Sequence, residues 1–220
     1  MYVIIIGAGT YGNPLAHKAV EKGHDVVVVE ENEAVAKELS TQIDAMVING
    51  DATNENILEE AGIEESDFLV STVSLDSVNV LVALLAQEYD TERVAAIASS
   101  EKYQSIFEQI GVDFVERPRD VVSDEFLNYI SYPKVSDFLK LGDEKSVVTV
   151  EVSHDSPVVG EKVQDIVGDR LPTEALIVAV RSNGDVEIPT GDSTVEAGTK
   201  VVIACSNDEL GAIQNLLQPN

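Results

Sequence analysis

The sequence predicts an α/β fold: a doubly wound parallel sheet joined to a second, smaller α+β domain. Three observations predict it. The apolar run Val3-Ile4-Ile5-Ile6 leads straight into Gly7-Ala8-Gly9-Thr10-Tyr11-Gly12 and then into a helical pattern carried by Leu15, Ala16, Ala19 and Val20. Strand-like and helix-like segments then alternate with short links to about residue 120, as parallel β–α–β winding requires. Past residue 142 the alternation gives way to short strands with polar turns and little helix.

The first element carries a dinucleotide-binding pattern: a strand, G-x-G-x-x-G, a helix, a second strand and an acid. Gly7 permits the turn out of the strand, Gly9 lets a diphosphate approach bare backbone, and Gly12 allows close packing of the following helix. That helix's N-terminus offers N–H groups and positive dipole to phosphate. The second strand, Val26-Val27-Val28-Val29, ends in Glu30, 18 residues after Gly12 and placed to accept hydrogen bonds from ribose hydroxyls. Glu31 and Asn32 bring no positive charge for a 2′-phosphate, which argues against NADP. The first domain, residues 1–120, is therefore expected to be Rossmann-like.

Its remaining strands are read at Ala45–Asn49, Phe68–Ser71, Val94–Ala98 and Asp113–Glu116, with apolar helices at Val78–Gln87 and Tyr103–Ile110. Ligand crevices in such sheets lie at the carboxyl ends of the strands. Gly50-Asp51-Ala52-Thr53 falls there, where Asp51 either meets an adenine amino group or caps the helix that follows. Thr72 and Ser74 follow the fourth strand and reach the same crevice. Asp76 and Asn79 flank the next helix, where capping is the simpler role. Residues 121–142 read as one or two amphipathic helices interrupted by Pro133, a crossover segment suited to dimerisation. Its apolar residues, among them Phe126, Leu127, Ile130, Phe138 and Leu139, exceed what one small sheet face needs, and packing on a second subunit or on the parent domain are both open. Residues 143–220 form the second domain: strands at Ser146–Val152, Leu176–Arg181, Val186–Ile188 and Lys200–Ala204, an Asn183-Gly184 turn, and helices at Val159–Val167 and Asp208–Leu217.

Composition narrows function. The 220 residues are 44% hydrophobic, enough for a real core. No run approaches the roughly 18 apolar residues of a membrane span, so a cytoplasmic location is expected. Forty acidic against 14 basic residues give a net charge of −26, which repels nucleic acid and anionic membrane alike. Spread over roughly 10,000 Å² of surface, the carboxylates sit about 16 Å apart. The Debye length is about 10 Å at 0.1 M salt and about 3 Å at 1 M, so molar salt removes most of their repulsion. The composition fits a very salty cytoplasm, with a basic partner as the alternative. Cys205, in the run Val201–Ala204, is expected to be a buried structural thiol. The three histidines, His17, His24 and His154, have no second catalytic group at motif spacing, and no zinc, Walker or serine-nucleophile pattern occurs.

Taken together, Gly7–Gly12, Glu30, Gly50-Asp51-Ala52-Thr53, the Thr72…Asp76…Asn79 stretch and Tyr103…Gly111-Val112-Asp113 resemble the RCK family of potassium-conductance regulators, also called KTN or TrkA N-terminal domains. Ile177–Arg181, Ile188-Pro189-Thr190-Gly191-Asp192 and Glu196-Ala197-Gly198 resemble the family's C-terminal domain. The resemblance implies a non-enzymatic regulatory subunit on the inner face of the cell membrane, docked on a potassium transporter or channel. It implies homodimers that assemble into tetramers or larger rings, an N-domain binding NAD(H) or AMP, with ADP and ATP as further candidates, and a second small ligand in the C-domain. The nucleotide-binding set is then Gly7, Gly9, Thr10, Tyr11, Gly12, Glu30, Asp51, Ala52, Thr72 and Ser74. Glu30 holds the ribose, Gly9 and Gly12 the phosphates, and Asp51 and Ala52 the adenine. One departure stands out: the arginine that often ends the fifth strand is absent from Ala96-Ile97-Ala98-Ser99-Ser100. The rival readings are an NAD-dependent oxidoreductase and a soluble nucleotide sensor acting on another transporter.

Overall fold

In the computed structural model, which describes every residue except Asn183 and Asn220, contiguous apolar runs become strands buried on both faces. Six parallel strands, β1 (Tyr2–Ile6), β2 (Asp25–Glu30), β3 (Met46–Asn49), β4 (Phe68–Ser71), β5 (Arg93–Ile97) and β6 (Phe114–Glu116), lie in the order β3-β2-β1-β4-β5-β6. Between them run α1 (Gly12–Glu21), α2 (Glu33–Ser40), α3 (Glu55–Glu60), α4 (Asp76–Glu88) and α5 (Glu101–Gln109). Side chains alternate across the pleat, so Ile4 and Ile6 enter one core with Val27, Val29 and Leu69, while Ile5 enters the other with Val26 and Val28. The chain reverses its direction of winding between β1 and β4, and that switch point opens the crevice at the strands' carboxyl ends.

The chain divides into two compact units, Met1–Val121 and Val122–Asn220. The second holds a five-stranded antiparallel sheet in the order β10-β9-β11-β8-β7. Its strands are β7 (Val135–Leu141), β8 (Lys145–Glu151), β9 (Ala175–Ser182), β10 (Asp185–Glu187) and β11 (Lys200–Ser206). Helix α6 (Pro118–Ser131) precedes it, a short α7 (Val163–Asp165) runs into a π-turn at Ile166–Arg170, and α8 (Leu210–Leu217) closes it. One core serves this sheet, with Val148, Val150, Val201, Ile203 and Cys205 facing Ile166, Leu210 and Ile213.

The expected helical reading of residues 121–142 is corrected. The helix ends at Ser131, and after Pro133 the chain becomes strand β7, paired antiparallel with β8 from Val135↔Val150 to Leu141↔Lys145. Gly142, at φ +76, makes the tight turn between them, a conformation open to glycine at little cost. Val135 and Phe138 pack against the second core, and the Phe138 ring stacks on Tyr132 at 6.0 Å. Residues 159–167 are likewise not a regular helix, since only Val163–Asp165 is α-helical. Of the expected Asn183-Gly184 turn, Asn183 lies outside the described residues, and Gly184 has φ +95.

Candidate functional site

Glu30 organises the crevice. Its Oε2 accepts the Ala8 amide at 2.6 Å and its Oε1 accepts the Asn32 amide at 2.8 Å. A carboxylate oxygen accepts more than one hydrogen bond, so this leaves acceptor positions for two hydroxyls on a side chain whose rotamer is already fixed. The glycine turn sits directly above it. Gly7 adopts φ +89, and its amide donates to Val29 O at 2.8 Å. The first helical ladder bond of α1 runs from Asn13 N to Gly9 O, so the amides of Thr10, Tyr11 and Gly12 stand ahead of it at the helix's positive end.

The two later glycines of the motif differ sharply. A Cβ on Gly9 would meet nothing within 4 Å, so the backbone there borders open space. A Cβ on Gly12 would lie 1.8 Å from Gly7 O and 2.7 Å from the Thr72 hydroxyl. Gly9 thus leaves a path for a ligand, whereas Gly12 serves the fold.

The crevice has a volume of about 620 Å³, within the range of about 300–1,000 Å³ usual for small-molecule sites. Nine of the ten expected residues line it: Gly7, Gly9, Thr10, Tyr11, Glu30, Asp51, Ala52, Thr72 and Ser74. Gly12 lies beneath the turn and is the exception. Glu31 and Thr53 also line it, as do the apolar Val73, Leu75, Val78 and Ile97.

Asp51 does not cap α3; that task belongs to Asn54, whose side chain accepts the Asn56 amide. Asp51 Oδ1 instead accepts the Thr53 amide at 2.9 Å and the Thr53 hydroxyl at 2.7 Å. These two donors, the hydroxyl first, hold its carboxyl below the usual carboxylate range. Asp76 and Asn79 are not caps either. Asp76 accepts the Ser99 amide and hydroxyl, tying the start of α4 to the end of β5. Asn79 is fully buried. Its Oδ1 accepts the Ser71 hydroxyl at 2.7 Å and the Val73 amide at 3.1 Å, and its Nδ2 donates to Val73 O and Ile97 O. It therefore fixes two loops of the crevice floor at once. A lone asparagine inside the apolar run Val78–Gln87 was the available signal. Arg117 pairs with Asp120 at 2.6 Å, and neither it nor Arg119 lines the crevice.

Cys205 is buried, and burial pushes its thiol pKa up, so it stays protonated and inert. Among the described residues, no group of three or more His, Cys, Asp or Glu is placed to hold a metal, and no helix is long and apolar enough to cross a membrane.

Strand order, glycine turn and acid together define a doubly wound domain with a dinucleotide-type crevice, followed by a small antiparallel module. Residues 3–118 match the TrkA-N domain family and residues 147–218 the TrkA-C domain family, so the chain belongs to the TrkA family. It is 35% identical over 210 residues to the Trk system potassium uptake protein TrkA homolog of Methanothermobacter thermautotrophicus, covering 94% of this chain and 95% of that protein. It is 28% identical over 225 residues to the TrkA homolog of Pyrococcus abyssi, covering 99% and 98%. Among solved structures, the GsuK RCK domain superposes with a TM-score of 0.66 at 18% identity, over 99% of this chain and 47% of that one. The GsuK channel bound to NAD also gives 0.66, at 17% identity over 98% and 39%. The AMP-bound Kef C-terminal domain of Shewanella denitrificans gives 0.52 at 21% identity, over 60% and 80%. At these identities the structural likenesses establish the fold.

Proposed function

We propose that this chain is a nucleotide-binding regulatory subunit of a membrane potassium transport system, with NAD(H) or AMP as its ligand, ADP and ATP as weaker candidates, and no catalytic step of its own. The observation that carries the reading is Glu30: two backbone amides hold it rigid at the mouth of a crevice that Gly9 leaves open. In this reading the ribose hydroxyls bond Glu30, the diphosphate lies over Gly9 and the amides of Thr10 and Tyr11, and the adenine sits against Ala52 and Asp51. Thr72 and Ser74 border the far half. The TrkA homologs of potassium uptake systems support a role in potassium transport, and a GsuK channel bound to NAD and a Kef C-terminal domain bound to AMP share the fold.

Regulation requires partners. The chain acts as a homodimer that builds a tetramer or larger ring on the cytoplasmic face of the transporter. In α6, Val122, Phe126, Tyr129 and Ile130 fall on one face by helical spacing and are all exposed, which supplies a surface for a second copy. A second small ligand in the C-terminal module is part of the same reading. Ligand binding acts by population shift: the nucleotide favours one arrangement of paired domains by its differential affinity, with a coupling of about 1–3 kcal/mol.

Thermal unfolding in 2 M KCl with NAD, NADH, AMP, ADP, ATP and cyclic dinucleotides tests this. A ligand at 100 times its Kd adds about 2.7 kcal/mol of stability. The expected result is a shift with an adenine nucleotide, no cofactor turnover, and loss of the shift in Gly9→Asp with the unliganded melting temperature kept. A normal nucleotide response in Gly9→Asp removes the site assignment, and turnover of NADH with a substrate favours the oxidoreductase.

A further inference from the structure

The charges that border the crevice are all of one sign. Glu30, Glu31 and Asp51 line it, and among its eighteen lining residues there is no lysine, arginine or histidine. The cation nearest in sequence to the end of β6, Arg117, is held by Asp120. Against three carboxylates the N-terminus of α1 contributes about half a positive charge. The whole chain adds a field of the same sign, with a net charge of −26.

Resting on the nucleotide reading above, we propose that ionic strength sets occupancy of this crevice with a sign opposite to that of a cation-lined phosphate site. Affinity for an anionic nucleotide rises with KCl, and the crevice ranks adenine ligands by their charge. Sites built from arginine and lysine lose affinity as salt screens an attraction. Here salt screens a repulsion. For carboxylates about 8 Å from the ligand in water, screened at 0.1 M, the three together weaken binding about three-fold per unit of ligand charge. At 2 M that penalty nearly vanishes, because the Debye length falls below about 3 Å. Adenosine is neutral, NAD carries about one net negative charge, AMP about two and ATP about four, counted from their ionised phosphates. KCl is then itself an input to the sensor: accumulated potassium salt promotes nucleotide binding in a protein of a potassium transport family.

The test is calorimetric titration of the full chain with adenosine, NAD, AMP and ATP in EDTA, from 0.1 to 2 M KCl. Circular dichroism at each salt fixes the lowest concentration at which the chain is folded, and slopes are read from there upward. Adenosine reports how salt strengthens apolar contacts, and its slope is subtracted. The expected result is a slope that grows with ligand charge, about three-fold for NAD and several tens of fold for ATP. Glu31→Gln should tighten ATP about five-fold at the lowest salt while leaving adenosine unchanged. ATP affinity that is flat or falls with KCl after subtraction overturns the inference and leaves the nucleotide site standing. No binding by any of the four ligands at any salt overturns the nucleotide reading and the inference with it.

Discussion

The two units bury their sheets in different ways. The parallel sheet is covered on both faces, and its strands divide their side chains between two cores, as Ile4 and Ile5 do from adjacent positions. The antiparallel sheet has one core, drawn from alternate residues such as Val201, Ile203 and Cys205, while Leu139, Leu141 and Leu176 stay exposed. Helix α6 buries none of its residues. Both units leave some large apolar side chains exposed, Leu75, Leu81, Leu84 and Phe114 in the first and Phe126, Tyr129, Ile130 and Leu139 in the second, but only the second presents a helix with no buried residue.

The sharpest way to break the comparison is at Gly12. In Gly12→Ala the new methyl would lie 1.8 Å from Gly7 O. No rotamer change relieves a clash with backbone, so the cost exceeds about 3 kcal/mol. Calorimetry should show the first unit's transition lowered or lost and the second unit's transition in place. Loss of both would mean that the units do not fold separately.

The converse substitution is Ile213→Ala. Ile213 is fully buried in the second core, and truncation there costs about 3 kcal/mol. The second transition should fall, while the first keeps its response to an adenine nucleotide. A nucleotide response that disappears with the second transition would show that the crevice depends on the C-terminal module.

How far the sequence revealed this arrangement follows from the range of the interactions involved. The strands of the first unit were legible because burial on both faces gives unbroken runs such as Val26–Val29, and the motif glycines and Glu30 announced the crevice. Strand β7 was not legible. Val135, Phe138 and Leu139 satisfy helical spacing as well as strand pairing, and only the ladder to β8 decides between them. Asn79 and Asp76 looked like helix caps because capping is local. Their actual partners are Ser71 and Ile97, at the ends of β4 and β5, and Ser99, in the loop after β5, all brought alongside by the sheet. Glu30's second role, holding the Ala8 amide across 22 positions of sequence, was hidden for the same reason.

The smallest effect on folding is expected on α6, and it sharpens the comparison most. Phe126 is 66% exposed and Ile130 is 73% exposed. Their replacement in a Phe126→Asp, Ile130→Asp double variant removes little buried area, so each unit's stability should move by no more than about 0.5 kcal/mol. Association should respond far more. Two carboxylates per chain placed in a self-complementary face replace its apolar contacts and would have to be buried without partners, a cost that salt does not remove. Light scattering after size exclusion in 2 M KCl should give a dimer or larger ring for the parent chain and a monomer for the variant. The high salt keeps the −26 net charge of each chain from deciding the result. A variant that assembles as the parent does would assign the exposed stripe of α6 to some other partner, and the dimer would have to form through another face.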